Sequence, residues 1–225
     1  MSESDVFKVF AHLRPELREN LKLLFEERRY TDGQEVYLQG EPTTSVYMVA
    51  QGRVKLTRVA RQGFESVLCV RRPGEYFCPV TVIDRGPQLG TAVAMGEVAL
   101  LEADRAHFNV LCEDNPELLA MVQGTCIGEI RSLMRRVEAF AFSNVRERLA
   151  MTLLEESSRQ QGNGKPSDEI RITQQELAGL VGASRESISR TMTRFEHGGL
   201  VRTGRGRITI LDREALKELS GTGGS

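Results

Sequence analysis

The chain has 225 residues, 40% apolar and 27% charged, with 30 Lys and Arg against 31 Asp and Glu and a net charge of −1. It is long enough for one large or two modest packed domains, and its balanced charge excludes a protein that merely coats nucleic acid, which would be basic throughout. No apolar run is long enough to cross a bilayer, and MSESDVFKVFAHL lacks the basic start and apolar block of a secretion signal, so a cytoplasmic protein without membrane contact is expected.

Residues 1–25 read as short helical pieces, with Val6, Phe7, Phe10 and Leu13 on one face. From about 30 to 110 the pattern changes to short apolar runs, such as VYMVAQG (46–52), RVKLTRV (53–59) and SVLCV (66–70). Glycines at 33, 40, 52, 63, 74, 86 and 96 punctuate them, which predicts many short strands in a β-sandwich, roll or barrel. Cysteines at 69, 78, 112 and 126 show no C-x-x-C spacing, so neither a zinc site nor a disulfide framework is indicated.

A long helix is predicted to follow, with Asn115 as its cap and Pro116 in its first turn. Leu119, Cys126, Ile130, Leu133, Val137 and Phe140 recur at spacings of three and four, broken only at Gln123. Such a seam predicts pairing with a second copy; the alternative is packing on the chain's own sheet. Gly124 and Gly128 flank Cys126, which makes room either for an effector between sheet and helix or for close helix packing. The organisation expected is a sensing domain over 1–114, a dimerisation helix over 115–142 and a DNA-binding domain over 143–225.

The DNA-binding expectation rests on ITQQELAGLVGASRESISRTMTRFEHGGLV, starting at Ile172. Thr173 and Glu176 form a capping box, and Leu177, Ala178 and Val181 make a buried side. Gly182 ends that helix at the sharp turn of a helix-turn-helix. Ser184 caps a second helix with Ile188, Met192 and Phe195 on one face and Arg185, Glu186, Ser189 and Arg190 on the other. Arginine matches the two acceptors of guanine, and Glu accepts from the cytosine amino group. Beyond Gly198 and Gly199, LVRTG and RGRITIL predict a wing with Arg202, Arg205 and Arg207 free for phosphates. Seven arginines lie between 185 and 213 against three acids, which marks a local basic surface.

At this point the sequence resembles the CRP/FNR family, the cyclic-AMP receptor and fumarate-nitrate regulators. GASRESISR (182–190), QGRVKLTR (51–58), GEYF (74–77), NPELL and AFSNVRERLA (141–150) carry the likeness. The resemblance implies an α+β fold: an N-terminal cyclic-nucleotide-binding-like β-roll (double-stranded jelly roll), a long dimerisation helix and a C-terminal winged helix-turn-helix. It implies a homodimeric transcription regulator on a two-fold symmetric double-stranded DNA site, gated by a small effector, with RNA polymerase as a further partner. Arg185, Glu186 and Arg190 fall on the family's base-reading positions. The stretch mixes features of the branches that read TGTGA-type and TTGA-type half-sites, and a shared GA core follows.

Departures from the family narrow the effector. Cys78-Pro79 stands where the cyclic-nucleotide branch has the Gly-Glu that binds ribose. Leu89-Gly90 stands where it has the Arg-Ser that binds phosphate, and Leu133-Met134 replace the Thr-Ser that meets the base. Cyclic AMP is therefore not the expected effector, since its anion would be left unpaired. No cysteine precedes Cys69, which removes the ligands of an iron-sulfur cluster. Cys78 after GEYF resembles the thiolate ligand of the family's haem-containing carbon-monoxide sensors, so haem is the alternative cofactor. That branch's histidine and N-terminal proline are replaced by Val80 and Met1-Ser2-Glu3, leaving His12 or His107 to substitute. The expected effector pocket comprises Cys78, Pro79, Val80, Leu89, Gly90, Gly124, Cys126, Leu133 and Met134. A redox switch at Cys78 or Cys126 is a second alternative. An enzyme is not expected: the three histidines, at 12, 107 and 197, form no catalytic or metal-binding pattern, and no phosphate loop is present.

Overall fold

A computed structural model describes residues 6–59, 65–77, 79–160 and 167–221. It divides into two compact units, Met1–Arg131 and Ser132–Ser225. The first opens with a short 3-10 turn, Phe7–Phe10, and a helix, Pro15–Leu24. Six strands follow: β1 (Glu26–Tyr30), β2 (Glu35–Tyr37), β3 (Ser45–Val59), β4 (Glu65–Arg71), β5 (Tyr76–Phe77) and β6 (Thr91–Asp104). All pairings are antiparallel, in the order β1-β6-β3-β4, with β2 on β6 and β5 on β3.

The two long strands explain the architecture. Side chains alternate across a strand, and here both faces are apolar. Val46, Met48 and Ala50 of β3, with Ala99, Leu101 and Ala103 of β6, join the outer core under Phe7, Phe10, Leu17 and Leu21. The interleaved Tyr47 and Val49, with Val98 and Leu100, point into the roll, where Tyr37 and Phe77 join them. The Tyr47 and Phe77 rings stack at 5.2 Å. The sheet therefore holds one core inside and one beneath its helices. The second is closed by the helix Arg105–Asp114 through Phe108 and Cys112, and by Leu118 and Val122 of the long helix Pro116–Phe142.

That long helix changes its surroundings along its length. Leu118, Val122 and Cys126, four residues apart, are buried, and Leu119 packs half-buried on the same core. Ile127, Ile130, Leu133, Met134 and Val137 are each more than half exposed. The predicted seam is thus corrected at its start. Leu119 and Cys126 belong to the chain's own domain, while Ile127 and Met134 join the open stripe.

The second unit follows with the helix Val145–Arg159, capped by Asn144 in a full capping box with Glu147. Two short helices, Gln174–Val181 and Arg185–His197, form the helix-turn-helix. Three strands, β7 (Glu169–Arg171), β8 (Val201–Gly204) and β9 (Arg207–Ile210), pair antiparallel in the order β7-β9-β8, and the helix Arg213–Leu219 ends the unit. No described helix is long and apolar enough to cross a membrane.

Candidate nucleic-acid interface and sensor site

The reader is built from local rules. Thr173 accepts from the Glu176 backbone N–H while the Glu176 carboxylate accepts from the Thr173 N–H, satisfying two orphan donors of the helix start. Gly182 takes φ +65°, the left-handed conformation that ends the helix and turns the chain. Two residues later Ser184 accepts from the Ser187 N–H and starts the recognition helix Arg185–His197. Ile188, Thr191, Met192 and Phe195 are buried beneath it.

Its other face is open. Arg185, Glu186 and Arg190 are exposed and Ser189 is half-buried. Arg185, Arg190, Arg202 and Arg205 have no ion-pair partner among the described residues. Free guanidinium groups on the first two turns of a capped helix suit the acceptors of a major groove. The β8–β9 wing turns at Gly206, at φ +69°, and Glu196 of the recognition helix holds it by accepting from the Thr203 backbone N–H at 2.6 Å. The Thr203 hydroxyl donates to the same carboxylate, and these bonds to the ionised form keep the Glu196 carboxyl below its usual range.

A cleft of about 440 Å³ lies between wing and helix-turn-helix, lined by Thr173, Gln174, Gln175, Arg185, Thr203 and Arg207 among others. Gln174 and Gln175 are lining residues that the sequence reading missed; their place in the first turn of a capped helix was the available signal. Charge counting misplaced Arg213. Its guanidinium donates to Ser157 Oγ at 2.6 Å and Asp168 Oδ1 at 3.0 Å, so it braces the unit instead of joining the basic surface. Arg207 lies 3.9 Å from Glu169 and remains largely exposed.

The expected effector residues fall in both units, Leu133 and Met134 in the second and the others in the first. Cys78 and the Pro79 side chain lie outside what the structure describes. Val80 is half-buried on the helix Pro79–Asp84. Leu89 is 55% exposed, and Gly90 is buried so closely against β3 that a Cβ there would stand 2.7 Å from the Thr57 carbonyl oxygen. Cys126 is buried, and that burial raises its thiol pKa. Gly124 and Gly128 are exposed, with nothing within 4 Å of an added Cβ, so in the single chain they do not hollow out space against the sheet. Leu133 and Met134 are 53% and 67% exposed. Of the substitute haem ligands, His12 is exposed, and His107 is exposed with Nδ1 3.0 Å from Asp104.

The structure assembles instead a polar cluster that spacing did not reveal. Arg71, on β4, donates through Nη2 to Glu129 Oε1 of the long helix, with side chains only 12% and 27% exposed. Burial disfavours the Arg71 charge, but nearby Cys69, Glu129 and Glu75 outweigh it and hold its pKa above the ordinary guanidinium value. Beside it the Tyr76 hydroxyl donates to the Met121 carbonyl and meets Thr125 Oγ1, and burial raises its pKa. The Arg71 charge is therefore already neutralised by the chain's own helix.

Comparison with known proteins decides the family. Residues 147–219 match the Crp-like helix-turn-helix domain, and residues 27–115 the cyclic nucleotide-binding domain. The Cyclic AMP receptor protein of Thermus thermophilus is 30% identical over 212 residues, covering 94% of this chain and 96% of that protein. The chain belongs to the CRP/FNR family. Among solved structures, a CRP/FNR-family transcriptional regulator from Thermus thermophilus aligns with TM-score 0.67 at 28% identity, covering 88% of this chain and all of that one. FixK2 from Bradyrhizobium japonicum aligns with TM-score 0.77 over 87% of this chain and 96% of that one; at 20% identity it speaks for the fold alone. As a CRP/FNR regulator, the protein binds DNA through its helix-turn-helix and controls transcription, and its relatives are regulators, not enzymes.

Proposed function

We propose that this regulator acts in the cytoplasm as a homodimer on a two-fold symmetric DNA site, with Arg185, Glu186, Ser189 and Arg190 reading bases. Ser184 and Thr173 hold the helix starts, and Arg202, Arg205 and Arg207 engage phosphates. The observation that carries dimerisation is the stripe Ile127, Ile130, Met134 and Val137, spaced three, four and three apart and each more than half exposed. Such a seam needs a partner helix, and a second copy supplies the same seam. RNA polymerase is the partner through which a bound regulator would act.

The effector is a small molecule other than cyclic AMP. Relatives named as a cyclic AMP receptor protein and as a cAMP-activated regulator provide the contrary expectation. Three features argue against it here. Leu89 is at the surface, Gly90 leaves no room for a side chain, and the buried Arg71 already has Glu129 as its counter-ion. A nucleotide phosphate would have to compete with Glu129 for Arg71. A haem held by Cys78 finds weaker support, since His12 and His107 are both at the surface.

Sedimentation of the unmodified protein and of Val137→Glu tests the reading. A dimer that binds a palindromic duplex, and a variant that is monomeric and binds it poorly, are expected. A variant that remains dimeric would overturn the seam, and operator binding tightened by micromolar cyclic AMP would overturn the effector assignment.

A further inference from the structure

The last turns of the long helix do more than lead into the DNA-binding unit. The helix Gln174–Val181 ends with carbonyl groups that have no partner within it. Two guanidinium groups from outside serve them: Arg136 Nη2 donates to the Leu180 carbonyl at 3.3 Å, and Arg148 Nε to the Val181 carbonyl at 3.1 Å. Both charges sit at a helix C-terminus, where the macrodipole favours cations. The Phe140 ring lies directly on Gly182, so close that any Cβ there would overlap Cζ and Cε1. The Arg148 guanidinium lies 4.9 Å from the centre of that ring, and its Nη1 donates to the Ser143 carbonyl at 2.7 Å.

Gly182 is thus doubly constrained. Its left-handed backbone makes the turn, and its bare Cα face is the seat of Phe140. Ser184, two residues on, starts the recognition helix. We infer that Phe140 and Arg148 are positioning residues for base reading: they clamp the helix-turn-helix turn to the tail of the long helix and so set where Arg185, Glu186 and Arg190 stand. This rests on the reading of the protein as a dimeric operator-binding regulator. Two recognition helices must meet two half-sites at fixed spacing. A loosened clamp costs register on specific DNA, while phosphate contacts on random DNA tolerate it.

The test uses the full-length protein, an operator selected from a random duplex pool by the protein itself, and a scrambled duplex of equal length. Phe140→Ala and Arg148→Lys should each lower operator affinity about tenfold while scrambled-duplex affinity stays within about twofold. Phe140→Tyr, which keeps the ring, should retain operator affinity within about threefold. Phe140→Ala combined with Arg148→Lys should lose little more than the worse single change, because the two residues act as one clamp. Binding to scrambled DNA doubles as the check that each variant is folded. Equal losses on both duplexes, or a lowered melting temperature with an unchanged affinity ratio, would overturn the proposal by reducing the cluster to a structural role. If the unmodified protein shows no preference for any duplex, the regulator reading itself falls, and this inference with it.

Discussion

The two units use arginine in opposite ways. In the sensor unit the notable guanidinium is turned inward: Arg71 is buried and spent on Glu129, 58 residues away. In the reader unit Arg185, Arg190, Arg202 and Arg205 are exposed, with no ion pair among the described residues. One charge ties two elements of the fold together, and the others await a partner outside it. The difference teaches where each mutation should register. Deleting the inward charge should cost stability, and deleting an outward one should cost DNA binding.

The largest expected effect lies inward. Glu129→Leu leaves the Arg71 guanidinium buried without its counter-ion and should lower unfolding stability by about 3 kcal/mol in urea titration. Arg71→Met should cost less, because Glu129 is more than a quarter exposed and can reach water. The reverse order would contradict the asymmetry. Outward, Arg190→Ala should cost about 1–3 kcal/mol of operator binding and relax one base position while the urea midpoint stays unchanged. A matching loss on random duplexes would remove Arg190 from base reading.

Arg205→Gln should act more gently. It should weaken binding similarly across sequences and reduce the salt slope by about one. An unchanged slope would mean that the wing stands away from the phosphates. The smallest effect concerns the wing's tie. The Glu196 pKa is depressed by bonds to its ionised form. The stabilisation is therefore present above the ordinary carboxylate value and lost only as pH falls through the lowered one. Amide exchange at Thr203, corrected for its intrinsic pH dependence, should show constant protection across neutral pH and loosen only in acid. Loosening near pH 6 would show that Glu196 does not hold the wing.

How much was legible follows from distance along the chain. Thr173 with Glu176, Gly182 and Ser184 lie within a dozen residues, and their capping chemistry operates between near neighbours, so the reader's helices could be drawn from the sequence. The apolar runs of the roll announced strands but not their lengths: 46–52 and 53–59 read as two short strands, and Gly52, at φ +80°, lies inside the single strand β3. The long helix was legible as a helix, but its faces were not. Spacings of three and four fit Leu119 to the seam equally well as to the sheet, and packing chose the sheet. Arg213 looked like one more member of a basic cluster until folding brought Ser157 and Asp168 to it.

The sequence by itself therefore determined the order of elements, the caps, the turn glycine and the residue types on the recognition helix, because these depend on interactions a few residues long. Tertiary structure alone decided that Arg71 meets Glu129, that Phe140 rests on Gly182, and that Gly90 lies against the Thr57 carbonyl. Each depends on groups tens of residues apart, brought together by packing. No local pattern encodes which distant side chain will be there to meet a charge or a ring.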